Sequence, residues 1–186
     1  MITQDDFKAA LQGARTKIAE IDELLATAAC PTVVELVVPL RGLDKERIKV
    51  LLRNVPAGFA KDQADVDYIY VMQGDPEGPD VSAMASLLEA VRGGAKDYCR
   101  LNRGSAGTKT LYVGRSKKLR SRLSQHLGKD DGGTYAMHLG RWGVESPGKI
   151  RISYMKFSSA DHLLVQAIED GMWASLKPAF GRQGDK

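Results

Sequence analysis

Apolar residues recur at Phe7, Leu11, Ala14, Ile18, Ile21 and Leu25, a spacing that predicts one long helix over residues 3–28. Thr3 is placed to cap it and Pro31 to end it. TVVELVVPL is a β-branched run that predicts a strand broken by Pro39. LDKERIKVLLRNVP predicts a short helix with Asp44 near its start and Pro56 beyond its end. VDYIYVM (66–72) predicts a strand flanked by polar residues, and GDPEGP a loop. DVSAMASLLEAVRGG predicts a helix capped by Asp80 and stopped at Gly93 and Gly94.

In the second half, DYCRLN and TKTLYVG read as two strands joined by RGSAG, an antiparallel hairpin. Ser116 is a cap for a helix through about Leu127, followed by the GKDDGG loop and a shorter helix within TYAMHLGRW. KIRISYMKF alternates apolar with charged positions, as a half-buried strand does. Ser158 and Asp161 open a last helix that runs to about Leu176, before Pro178. The expected fold is α+β: a small antiparallel three-stranded sheet flanked by helices, preceded by an α/β N-terminal region.

At 186 residues, with 43% hydrophobic and 27% charged positions, the chain is long enough for one medium domain or two small ones. No apolar run approaches the roughly 20 residues of a membrane span. The opening MITQDDFKAALQ lacks the apolar stretch of a signal peptide. Cys30 and Cys99 form neither a disulfide framework nor a metal-ligand pattern, so a cytoplasmic setting is expected. Charge divides the chain unevenly. Residues 1–95 hold 10 Lys/Arg against 15 Asp/Glu, while residues 96–186 hold 17 against 8. Two regions are therefore expected, an acidic one over 1–94 and a basic one over 95–186 facing a polyanion.

The basic cluster is Arg115, Lys117, Lys118, Arg120 and Arg122, within RSKKLRSR. On the helix that follows, Leu119, Leu123 and Leu127 make the core stripe, and Arg122 and His126 the stripe beside it. Cations in a first turn oppose the helix dipole, an arrangement that an incoming phosphate would relieve. On the last helix Leu164, Ile168, Met172 and Leu176 are apolar, with Glu169 at the stripe's edge. Glu169 is either an ion-pair partner of an arginine or a metal ligand. Gly171, mid-helix, costs about 1 kcal/mol relative to alanine, which a close backbone approach would justify.

LYVGRSKKLRSRLSQH resembles the second motif of the GIY-YIG nuclease family. Tyr112-Val113-Gly114 is followed by Arg122, ten positions after the tyrosine, and by His126, fourteen after. Glu169 and Lys177-Pro178 resemble the family's C-terminal helix. The first motif is read at Lys96-Asp97-Tyr98, with only its tyrosine retained, and the asparagine usual after the lysine-proline pair is replaced by Gly181. The resemblance covers residues 95–184, about half the chain.

It implies an endonuclease that hydrolyses nucleic-acid phosphodiesters, DNA before RNA, with one divalent metal, Mg2+ or Mn2+. Tyr98 and Tyr112 would lie on adjacent strands and orient or deprotonate the attacking water. Arg122 would bind the scissile phosphate. His126 would assist proton transfer or contact the phosphate, and Glu169 would ligate the metal. Arg115, Lys117, Lys118 and Arg120 would bind nucleic acid. The alternative is a nucleic-acid-binding module that keeps the fold without turnover; a weaker third reading is a protein-interaction domain whose basic helix meets an acidic partner.

The remaining candidates have plainer readings. His138 is expected to be structural, His162 solvated, and Trp142, Trp173 and Cys99 packed. Tyr68 and Tyr70 superficially resemble a YIY triplet, but lie too far from Tyr112 for a hairpin and read as an ordinary strand. The N-terminal helix either packs on the second half or joins two copies in a homodimer. An acidic N-terminal lid over the basic face is a further expectation.

Overall fold

A computed structural model describes residues 3–58, 66–75, 78, 80–92, 98–105, 107–128, 135–144, 146–158 and 161–183. Gly93, Gly94, Lys96, Asp97 and residues 129–133 of the GKDDGG loop lie outside these residues. The elements run α1 (Gln4–Thr27), β1 (Val33–Pro39), α2 (Lys45–Leu51), β2 (Val66–Gly74), α3 (Val81–Arg92), β3 (Thr110–Ser116), α4 (Leu119–Leu127), α5 (Leu139–Trp142), β4 (Lys149–Ser158) and α6 (His162–Leu176). The fold is α+β, with six helices among the described residues around a four-stranded antiparallel sheet of order β1-β4-β2-β3.

Local chemistry sets several boundaries. Thr3 and Asp6 form a reciprocal capping box at the start of α1, satisfying two otherwise orphan N–H groups. The side chain of Asp44 accepts from the Arg47 N–H, and that of Asp161 from the Leu163 N–H. Ser116 accepts from the Lys118 N–H at 3.0 Å, but α4 itself begins only at Leu119.

The sheet differs from the expected one in three ways. It has four strands among the described residues, and two of them come from the first half of the chain. β2 lies between β3 and β4, so the expected boundary at 94/95 divides neither the sheet nor the core. One apolar cluster contains Val38, Leu52 and Met72 together with Leu111, Leu123 and Ile152. The expected hairpin 97–114 is absent among the described residues. Tyr98 bridges Ala136 and Leu101 bridges Phe180, while β3 takes β2 as its neighbour. β2 is covered on both sides: Tyr68, Tyr70 and Met72 enter the main core, and Ile69 packs with Phe157 and Val165 beneath α6.

α1 stands apart. None of its residues is buried, and Phe7 and Ile18 are 62% and 67% exposed. Its packing onto the second half is thus not a core contact. Lys17 donates to Asp161 at 2.8 Å, tying α1 to the start of α6.

Candidate active site

Strand alternation puts Tyr70 on the face of β2 that meets Gly114 and Tyr112 of β3. The two phenol rings stack with centroids 6.0 Å apart and planes 6° from parallel. Gly114 makes this possible. A Cβ there would lie 2.7 Å from Tyr112 Cε1 and 2.7 Å from Tyr70 Oη. Gly181, at φ +101°, closes the other side: its Cβ would lie 2.7 Å from Tyr112 Cε2. Glycine at position 181 is therefore the residue that the Tyr112 ring demands.

α4 supplies the groups around the two phenols. Its leucines face the core, which turns His126 and Arg122 toward the tyrosines. His126 is fully buried, its ring 4.3 Å from that of Tyr112. Its Nδ1 accepts the Met137 N–H at 3.2 Å, and its Nε2 lies 3.0 Å from Tyr70 Oη. A neutral imidazole accepting at Nδ1 carries its proton on Nε2, so His126 donates to Tyr70. Burial, with the Arg122 charge behind it, holds His126 well below the usual histidine pKa and therefore neutral. Both ring nitrogens are used inside the protein, so a direct phosphate contact is not its role here.

Arg122 donates to Gln125 Oε1 at 3.0 Å, to the Tyr135 carbonyl at 2.9 Å and, at 3.4 Å, to Tyr112 Oη. Burial pushes the hydroxyl pKa of both tyrosines up, and Arg122 opposes that rise. At neutral pH both are protonated phenols, able to donate. The negative charge of Glu169 also reaches both and works against their ionisation.

Glu169 itself sits on the α6 side of the sheet, buried, with Arg115. Arg115 Nε is 3.5 Å from Glu169 Oε2, and its NH1 is 3.9 Å from Asp67 Oδ2. The guanidinium also donates to Gln166 Oε1 at 2.8 Å and to the His162 carbonyl at 3.2 Å. Of the two readings of Glu169, the arginine ion pair is thus present. The carboxylates of Glu169 and Asp67 are hard oxygen donors of the kind that suit Mg2+ or Mn2+. Among the described residues no group of three or more His, Cys, Asp or Glu is placed to hold an ion.

The other sequence candidates are dispersed. Tyr98 is not beside Tyr112. It meets the rings of His138 and, through Arg141, a guanidinium 5.6 Å from its centroid. The tyrosine at that place is Tyr70, set aside as an ordinary strand residue. Its signal was the run YIYVM, apolar at consecutive positions, as in a central strand buried on both faces. Lys117 and Lys118 are exposed. Arg120 donates to the Val55 and Arg53 carbonyls at 2.7 and 3.0 Å. His138 is buried in a left-handed conformation at the start of α5. Arg115 contacts His162, which is exposed. Nothing approaches Gly171 within 4 Å, so close packing does not explain it.

No family model, curated protein or solved structure matches this chain.

Proposed function

We propose that the chain is a metal-dependent endonuclease of GIY-YIG type, acting on nucleic-acid phosphodiesters and on DNA first, with Tyr68-Ile69-Tyr70 as its first motif rather than Lys96-Asp97-Tyr98. The observation that carries this reading is the stacking of Tyr70 on Tyr112 across adjacent strands, with His126 bonded to one hydroxyl and Arg122 to the other.

The chain's own groups would divide the work. Arg122, preset beside Tyr112, offers a guanidinium fork to the scissile phosphate, whose negative charge grows as the bond breaks. Tyr112 and Tyr70 orient the attacking water through their hydroxyls. For either to act as base, its raised pKa must fall, and the group that lowers it at both tyrosines is Arg122. Glu169, with Asp67 near it, would hold the divalent cation, which supplies Lewis-acid stabilisation of the phosphate and leaving oxygens.

One observation favours the second reading, a binding module without turnover: Arg115 already pairs with Glu169, the carboxylate that a metal would need. Cleavage of supercoiled plasmid separates the two. Wild type should nick or linearise it with Mg2+ or Mn2+ and not with EDTA, and Glu169→Gln should lose that activity. Salt-sensitive binding without cleavage, unchanged by Glu169→Gln, would establish the binding module instead.

A further inference from the structure

The side of α4 turned away from the tyrosines faces α2 across a groove of about 620 Å³. Lys45, Lys49 and Arg53, spaced one helical turn apart from α2 into the turn that follows it, line one wall. Ser121, Ser124 and Arg120 line the other, and Ile48 and Leu52 form part of the floor. The groove thus holds four cations, and among the described residues no carboxylate lines it. Lys49 has one acidic neighbour on its own helix, Glu46 at 3.9 Å, in a highly exposed pair of little energetic weight.

The groove is fixed relative to the site. Arg120 clamps the Val55 and Arg53 carbonyls, and its backbone N–H donates to the Pro56 carbonyl at 3.2 Å. Gly58, at φ +72°, lies so close to the Lys117 carbonyl that a Cβ there would collide with it. The acidic half of the chain is therefore locked onto the first turn of α4, and three of its ten cations, Lys45, Lys49 and Arg53, stand at that junction.

We infer that this groove is a second phosphate-binding track, which takes the sugar-phosphate backbone of the same nucleic acid on the far side of α4 from Arg122. The inference rests on the proposed nuclease reading for the identity of the polyanion. It gives the N-terminal half a role that its net charge argues against. Lys45, Lys49 and Arg53 supply charge, and Ser121 and Ser124 supply hydroxyl donors. A helix is about 10–12 Å across and successive nucleotides of one strand rise about 3.4 Å, so the contacted phosphates lie about three to four nucleotides from the one at Arg122.

The test is duplex DNA binding in EDTA, across a salt series, by wild type and the triple variant Lys45→Gln/Lys49→Gln/Arg53→Gln. All three replaced side chains are exposed, and an unchanged melting temperature confirms that the variant is folded. The triple variant should bind more weakly, with a slope of log affinity against log salt shallower by about 2 to 3. An unchanged slope and affinity in the triple variant would overturn the track. So would tighter binding of polyglutamate than of DNA with the same loss in the variant, which would assign the groove to an acidic protein partner. The two proposals fail separately: plasmid cleavage with unaltered binding in the triple variant keeps the nuclease and removes the track, whereas weakened binding without cleavage in any metal does the reverse.

Discussion

Replacing Gly114 by alanine adds one methyl group at the point where the two phenols meet. The new carbon would lie 2.7 Å from Tyr112 Cε1, 2.7 Å from Tyr70 Oη and 3.0 Å from Tyr70 Cζ. Relaxed carbon contacts fall at about 3.5–4.0 Å, so the rings must retreat by about 1 Å. Neither is free to do so. Tyr70 is 1% exposed and bonded to His126, and Gly181 closes against the far edge of Tyr112. Overpacking of this kind costs about 1–3 kcal/mol. For a chain of this length that lowers the melting temperature by about 2–12 °C. A 1 Å displacement of a reacting group also costs about 100-fold in turnover. The matched control is Gly171→Ala, where nothing lies within 4 Å. There the same methyl group improves helix propensity and should raise the melting temperature by about 2–4 °C. Thermal melts followed by circular dichroism read both. Identical melting of wild type and Gly114→Ala would refute the idea that this glycine holds the tyrosines together.

Tyr70→Phe should reduce plasmid cleavage by about 100-fold or more and destabilise the fold by about 1–3 kcal/mol, because His126 Nε2–H loses its acceptor. Tyr98→Phe should leave cleavage close to wild type, and the reverse ranking would return the first motif to residues 96–98. His126 stays neutral in the fold while its unfolded counterpart protonates near pH 6.5. Stability should therefore fall as pH drops below about 6.5, at up to about 1.4 kcal/mol per pH unit from this residue. Urea denaturation of His126→Gln should show a shallower decline, and an equal decline would place the linkage elsewhere. Arg115→Gln leaves Asp67 and Glu169 without the cation between them and should cost about 3–5 kcal/mol. Millimolar Mn2+ should then raise the melting temperature of the variant more than that of wild type; no difference would argue against an ion at Glu169.

Much of the fold was legible because its signals are local. Thr3, Asp44 and Asp161 announce helix starts by side-chain chemistry, and the leucines of α4 fix which way Arg122 and His126 face. The pairing of β2 with β3 was not legible. It is a contact between residues about forty positions apart, and neither strand carries a mark of its partner. The expected hairpin supplied Tyr98 because it was near in sequence, whereas the sheet chose Tyr70. Glu169 was read at the partly buried edge of its helix and is buried there, and the arginine that meets it, Arg115, was read as an outward phosphate contact. Strand parity decides that: residues 112 and 114 face the phenols, so 113 and 115 face α6.

The strand order β1-β4-β2-β3 has a consequence for how the chain acquires its structure during synthesis. β1 and β2 leave the ribosome first, yet they are not neighbours, and the strand that separates them, β4, begins only at Lys149. Until then each waits with an open edge and an apolar side. Closing the sheet requires contacts of long sequence separation, which makes folding slow and late rather than progressive. The half-made chain is thus the state most exposed to aggregation, and no fragment ending before β4 holds both tyrosines in a closed sheet.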